Sequence, residues 1–137
     1  MTTSSGRVTR GRVDRLEEGQ VFVFGSNEAG RHGKGAAKTA LRWGAKDGVG
    51  EGMSGRTYAI PTKNSKIRTL GKTSIGKYVD AFLRTARERP DLTFLVTEVG
   101  CGLAGYSAED IAPMFADASS MPNVHLPHSF WNILMRK

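Results

Sequence analysis

The 137-residue chain contains a single cysteine, Cys101, which excludes an internal disulfide framework and fits a reducing compartment. Long apolar runs are missing as well: none approaches the roughly 20 residues that a membrane-crossing helix needs. Met1 to Arg12 is polar and basic, with no apolar centre. That is the opposite of a secretory leader, so the expected location is the cytoplasm. His32, His125, His128 and Cys101 show no metal-ligand spacing, and neither a metal nor a cofactor is expected. Nor does Cys101 stand at a spacing from His125 or His128 that marks a thiol nucleophile and its base. Trp43 and Trp131 lie outside any basic aromatic cluster, which favours packing over base stacking.

What the chain does have is an ordinary globular balance and an excess of positive charge. Hydrophobic residues make up 39% of it and mean hydropathy is -0.35, as in a single soluble domain with a core of its own. Twenty Lys and Arg against 13 Asp and Glu leave a net charge of +7, with a pI near 9.9. Such a balance raises the odds of a polyanionic partner, either a nucleic acid or a nucleotide. A surface that is basic for solubility alone would read the same. Clustering at Arg7, Arg10, Arg12 and Arg15 and along the loop from Thr62 to Lys72 favours a partner.

Residues 1–12 read as a flexible basic arm, and residues 13–137 as one domain. Val21–Phe24 is a continuous apolar run, as in a strand buried on both faces. A helix is expected from Lys34 to Ala45, with Ala36, Ala37, Ala40, Leu41 and Gly44 forming a narrow stripe of small residues. Residues 46–56, with four glycines, read as a loop. Thr57–Ile60 reads as a second strand stopped by Pro61. Ile75, Val79, Phe82, Leu83 and Ala86 share one face of a helix over Thr73–Arg89, and a strand follows at Thr93–Val99. Ser107, with Asp110 three residues on, is an N-cap for a helix running to Ala118. A last short strand at Asn123–Leu126 precedes an apolar tail, Phe130 to Leu134. This alternation predicts an α/β chain with a mixed, mostly parallel sheet between two helical layers, its ligand site beyond the carboxyl ends of the strands.

Two glycine-rich loops occupy that position. Gly25-Ser26-Asn27 opens the first, which continues through Gly30-Arg31-His32-Gly33-Lys34-Gly35. The second is Gly100-Cys101-Gly102-Leu103-Ala104-Gly105-Tyr106. Glycine lets the backbone take positive φ and approach a ligand closely, while a following helix offers free N–H groups and the positive end of its dipole. Two such loops in one small domain point to a diphosphate held between them. Neither matches a dinucleotide or triphosphate fingerprint, and tight strand-to-helix turns need glycine too.

At these residues the chain resembles the macrodomains, which bind and process ADP-ribose. It is most similar to the branch that removes ADP-ribose from nucleic acid bases or protein carboxylates, and to phage-associated macrodomain-like proteins. The resemblance is carried by His32-Gly33-Lys34-Gly35-Ala36-Ala37, Tyr58-Ala59-Ile60-Pro61-Thr62-Lys63 and Gly100-Cys101-Gly102-Leu103-Ala104-Gly105-Tyr106. It spans Val21 to Pro127 in order. It implies a three-layer α/β/α macrodomain-like fold. It also implies that Asn27 bonds the distal ribose, that the first loop with Thr62 cradles ribose and diphosphate, and that the backbone of Gly102 to Tyr106 holds the diphosphate. Tyr106 would pack over the distal ribose and His32 would touch the ligand. Lys63 matches a catalytic lysine that attacks the anomeric carbon, chemistry that needs a neutral amine.

One position departs from the pattern. Part of that branch carries an acid directly after Gly-Cys-Gly-Leu, where this chain has Ala104, and Glu98 is the candidate substitute. Without the resemblance, Lys63 and Glu98 read as solvated charges and His32 as an exposed loop side chain. Asp14 is a candidate for recognising adenine. Three functions follow as expectations: a hydrolase releasing ADP-ribose from a macromolecule, nucleic acid favoured; a non-catalytic binder of ADP-ribose or an NAD-derived nucleotide; and a nucleic-acid-binding protein whose loops grip backbone phosphates.

Overall fold

A computed structural model describes residues 6–136. Six strands form one sheet: β1 (Val8–Thr9), β2 (Gln20–Asn27), β3 (Gly52–Ser54), β4 (Thr57–Lys63), β5 (Thr93–Val96) and β6 (Val124–Pro127). Their order across the sheet is β1-β6-β5-β2-β4-β3, and every pairing is parallel except that of β3 with β4. Helices α1 (Gly35–Ala40), α2 (Lys72–Glu88), α3 (Ala108–Ile111) and α4 (His128–Leu134) cover its two faces.

The central strands β2, β4 and β5 are buried on both sides, and alternation along β2 assigns its residues to two cores. Val21 and Val23 join the larger cluster with Phe94, Val96, the α2 stripe and Ile111 of α3. Phe22 and Phe24 join the smaller one with Ala37 and Ala40 of α1. Phe82 organises the larger core, with its ring edge-on to Tyr58 at 5.1 Å and to Phe94 at 5.5 Å. The small-residue stripe of α1 lets that helix lie close on the sheet.

Several expectations change. Pro61 does not stop its strand. Phe22 N donates to Arg56 O, so alternation along β4 turns the amides of residues 58, 60 and 62 toward β2 and leaves position 61 facing β3. Pairing with β3 ends at Ala59, so a proline at 61 removes no ladder bond. The loop expected at 46–56 contains β3. The helix expected to reach Ala45 ends at Ala40 in a 3-10 turn. The capping box of Ser107 and Asp110 is present, but α3 passes into a 3-10 segment, Ala112–Ser120. Pro113 has no N–H with which to continue an α-helical ladder.

Of the expected flexible arm, residues 1–5 lie outside the described residues, and Arg7–Thr9 are anchored. β1 pairs with β6. The Arg7 guanidinium donates to Met121 O, Ser119 O, Ala118 O and Val124 O and lies over the Trp131 ring, whose Nε1 donates back to Arg7 O. Replacing Arg7 with Ala leaves these carbonyls without their donor and should destabilise the fold by about 2 kcal/mol. Urea unfolding reads this as a lower midpoint at constant slope, whereas an unchanged midpoint would contradict the anchoring.

Candidate functional site

β2 and β5 are neighbours in the sheet, yet the chain leaves them toward opposite faces. After β2 it runs to α1, which packs in the smaller core, and after β5 to α3, which packs in the larger one. Diverging connections leave a crevice at the carboxyl ends of the two strands. The glycine loops flank it. At their roots the backbones nearly touch, since a Cβ on Gly25 would lie 3.5 Å from Gly100 N. Thr97 ties the second root to β2, donating both its amide and its hydroxyl to Val23 O.

The crevice is a cleft of ≈ 440 Å³, within the range of small-molecule sites. β2 runs on to Asn27, past the strand expected to end at Phe24, so the walls take Gly25, Ser26 and Asn27 from its end, Gly33, Lys34 and Gly35 from the turn into α1, Gly100, Gly102, Leu103 and Ala104 from the second loop, and Thr62, Lys63 and Glu98. Residues 106–136 and 6–24 contribute nothing to its walls. Four of the expected ligand contacts lie elsewhere. His32 is 2% exposed; its Nε2 bonds Val49 O and its ring packs edge-on to Phe24, so it braces the loop from behind. Cys101 faces a second cavity. Gly105 turns the second loop at φ +87°, and Tyr106 donates its hydroxyl to Leu70 O.

Several cleft residues owe their side-chain bonds to building the loops. Ser26 donates to Gly50 O and Thr62 to Ser26 O, both buried. Asn27 holds the turn of the first loop: its Nδ2 donates to Arg31 O and its Oδ1 accepts from Arg31 N. One N–H and one lone pair of that amide remain for a ligand. Gly30 and Gly50 are required by close approach, because a Cβ on Gly30 would lie 2.5 Å from Gly48 C and one on Gly50 2.3 Å from Asn27 O. Gly33 and Gly102 are different: a Cβ on either meets nothing within 4 Å. Both residues line the cleft.

Main-chain donors are the chief resource here. Among the described residues, the amides of Gly33, Lys34, Gly102, Leu103 and Ala104 donate to no protein acceptor, and all five residues line the cleft. The expected help from helix dipoles is corrected. α1 has six residues and α3 four, too short for peptide dipoles to sum to the usual half-charge. Unbonded amides, with Arg31, Lys34 and Lys63 in the walls, supply the positive character instead. Glu98 is the one carboxylate in the walls, and it accepts from Ser129 Oγ at 2.6 Å.

Lys63 ends β4 opposite Asn27, with its carbonyl accepting from Glu28 N. The next turn folds back over it through a bridge from Lys63 to Thr69, and Thr69 Oγ1 donates to Ala104 O in the second loop. Asn64 Oδ1 takes the amides of Lys66 and Arg68 within that turn. Ile67 sits at its tip with φ 62°, the one described non-glycine residue with positive φ, a strain of about 1–2 kcal/mol. Ile67 is part of the cleft wall. Lys66 and Arg68 are not. Ile67 and Arg31 were not singled out by sequence reasoning, because nothing in their spacing marks them.

Comparison with family models, with characterised proteins and with solved structures finds no match. Among the described residues no helix is long and apolar enough to cross a membrane, and no group of His, Cys, Asp or Glu is arranged to hold a metal.

Burial, then the nearby Glu98 and Asp110 carboxylates, push the Cys101 thiol up to about 11. A raised value keeps the sulfur protonated at neutral pH, which removes the nucleophilic reading on chemical grounds. Alkylation of the native protein by iodoacetamide should stay slow at neutral pH and keep rising with pH until about 11. A plateau near neutrality would contradict it.

Proposed function

We propose that this cleft binds ADP-ribose, its diphosphate against the unbonded amides of the two loops, and that the protein releases ADP-ribosyl groups from a modified macromolecule. The observation that carries this reading is the convergence of two sets of acceptor-free amides on one crevice. A diphosphate presents oxygens toward both walls, and main-chain donors can reach it because no Cβ stands at Gly33 or Gly102. The net charge of +7 favours a nucleic acid as the modified partner.

In this reading the distal ribose lies toward Asn27 and Lys63. The Lys63 amine bonds to the anomeric carbon as the leaving group departs with a proton, and water then frees ADP-ribose. Glu98, as the carboxylate of the walls, is the group available to move that proton. Two observations favour binding without turnover as the second reading. Ala104 stands where an acid is expected, and Glu98 already accepts a bond from Ser129.

Calorimetry with free ADP-ribose tests both readings, and absence of binding at millimolar ligand eliminates both. Incubation with ADP-ribosylated DNA then separates them. Lys63→Ala should lower release by about 100-fold or more while binding persists; turnover retained in that variant would refute the role of Lys63, and no turnover by the native protein would leave a binder. Gly102→Val should fold normally and lose ADP-ribose by steric exclusion. Unchanged affinity would remove the second loop from the site. Affinity for a nucleic acid adduct should fall as salt rises.

A further inference from the structure

A second cavity of ≈ 480 Å³ adjoins the first. The two share Ala36, Thr97, Glu98 and Gly102 in their walls, so they lie side by side at the strand ends. The floor of the second is partly apolar, from Val13, Phe22, Ala36 and Pro127. Its charge is one-sided. Arg10 and Arg12 enter from the segment after β1 and Arg42 from the turn after α1, against the single carboxylate of Glu98.

Among the described residues these arginines have no acidic partners. The salt bridges among the described residues join Lys72 to Asp110, Arg87 to Asp117, Arg89 to Asp91 and Arg136 to Glu109, all outside this basin. Arg10 donates to Arg15 O at 2.7 Å. Arg42 donates to Asp14 O at 3.3 Å and stacks over Trp43. Carbonyl acceptors orient a guanidinium without neutralising it, and each leaves further N–H groups unused. Arg12 makes no hydrogen bond or ion pair to any described residue. In the same wall Thr9 carries a buried hydroxyl with no protein partner. Three guanidinium groups around one cavity repel one another unless an anion lies among them, and their planar forks match phosphate oxygens.

We propose that this second basin binds an additional phosphoryl group, carried on the nucleoside end of the ligand, beyond the diphosphate held between the loops. The inference rests on the ADP-ribose reading for the placement of that diphosphate. An apolar floor suits a nucleoside, and the arginine rim suits a phosphate on its ribose. That phosphate is either a monoester, as in 2′-phospho-ADP-ribose, or the next phosphodiester of a strand.

Calorimetry at low salt with three probes tests this: ADP-ribose, 2′-phospho-ADP-ribose, and ADP-ribose joined through its adenosine 3′-hydroxyl by a phosphodiester to one further adenosine. At least one phosphorylated probe should bind about tenfold or more tightly than ADP-ribose, and which one does so identifies the source. Arg12→Gln combined with Arg42→Gln, both at exposed positions, should erase that preference and leave ADP-ribose affinity unchanged, with thermal unfolding confirming an intact fold. Equal affinity of all three probes for the native protein, or a preference that survives in the double variant, overturns the proposal. Should ADP-ribose itself not bind, the function proposed above fails separately. Adenosine 2′,5′-bisphosphate against adenosine 5′-monophosphate then tests the basin alone: a preference lost in the double variant supports it, and no preference overturns it.

Discussion

Two adjacent parallel strands, β2 and β5, send the chain to opposite faces of the sheet, and the site depends on that divergence. Neither connection can close over the other, so the sheet ends in an open crevice at its centre. The loops that flank it must leave their strands abruptly and run close together at Gly25 and Gly100. A chain confined in this way brings main chain, not side chain, to the crevice. The short helices that follow explain why the positive character there comes from individual amides and a few basic side chains.

The architecture was legible because its signals are local. Val21–Phe24 has no polar face, which only a strand covered on both sides tolerates, and the two clusters around Val23 and Phe24 are its consequence. The stripe from Ile75 to Ala86 marked α2 almost to the residue, and Ser107 with Asp110 marked the start of α3. What was not legible depended on long-range pairing. Pro61 reads as a breaker until β4 is seen to lack a partner on that side. Arg7 reads as part of a loose arm until its guanidinium is seen among the carbonyls that precede β6.

At the site, glycine spacing made the two loops visible, but it did not divide their residues into builders and contacts. Ser26 and Asn27 end β2 and Thr62 lies near the end of β4; polar residues beside a glycine-rich turn read as ligand chemistry, yet their bonds hold backbone. His32 is polar and buried for the same reason. Conversely, Ile67 carries no polar signal, and only its backbone conformation and its place in the cleft wall draw notice. Of the arginines of the second basin, Arg10 and Arg12 were visible as part of an N-terminal basic cluster and Arg42 only as net charge. Distributed over residues 10, 12 and 42, they become one feature because the segment after β1 and the turn after α1 line the same cavity.

The central claim is that main-chain amides of both loops hold a diphosphate. The most direct measurement is a titration of the ¹⁵N-labelled protein with ADP-ribose, followed amide by amide. The account predicts large, saturable shifts of Gly33 and Lys34 together with Gly102, Leu103 and Ala104, at one common affinity. Shifts confined to one loop, or to surface lysines far from both, would contradict it.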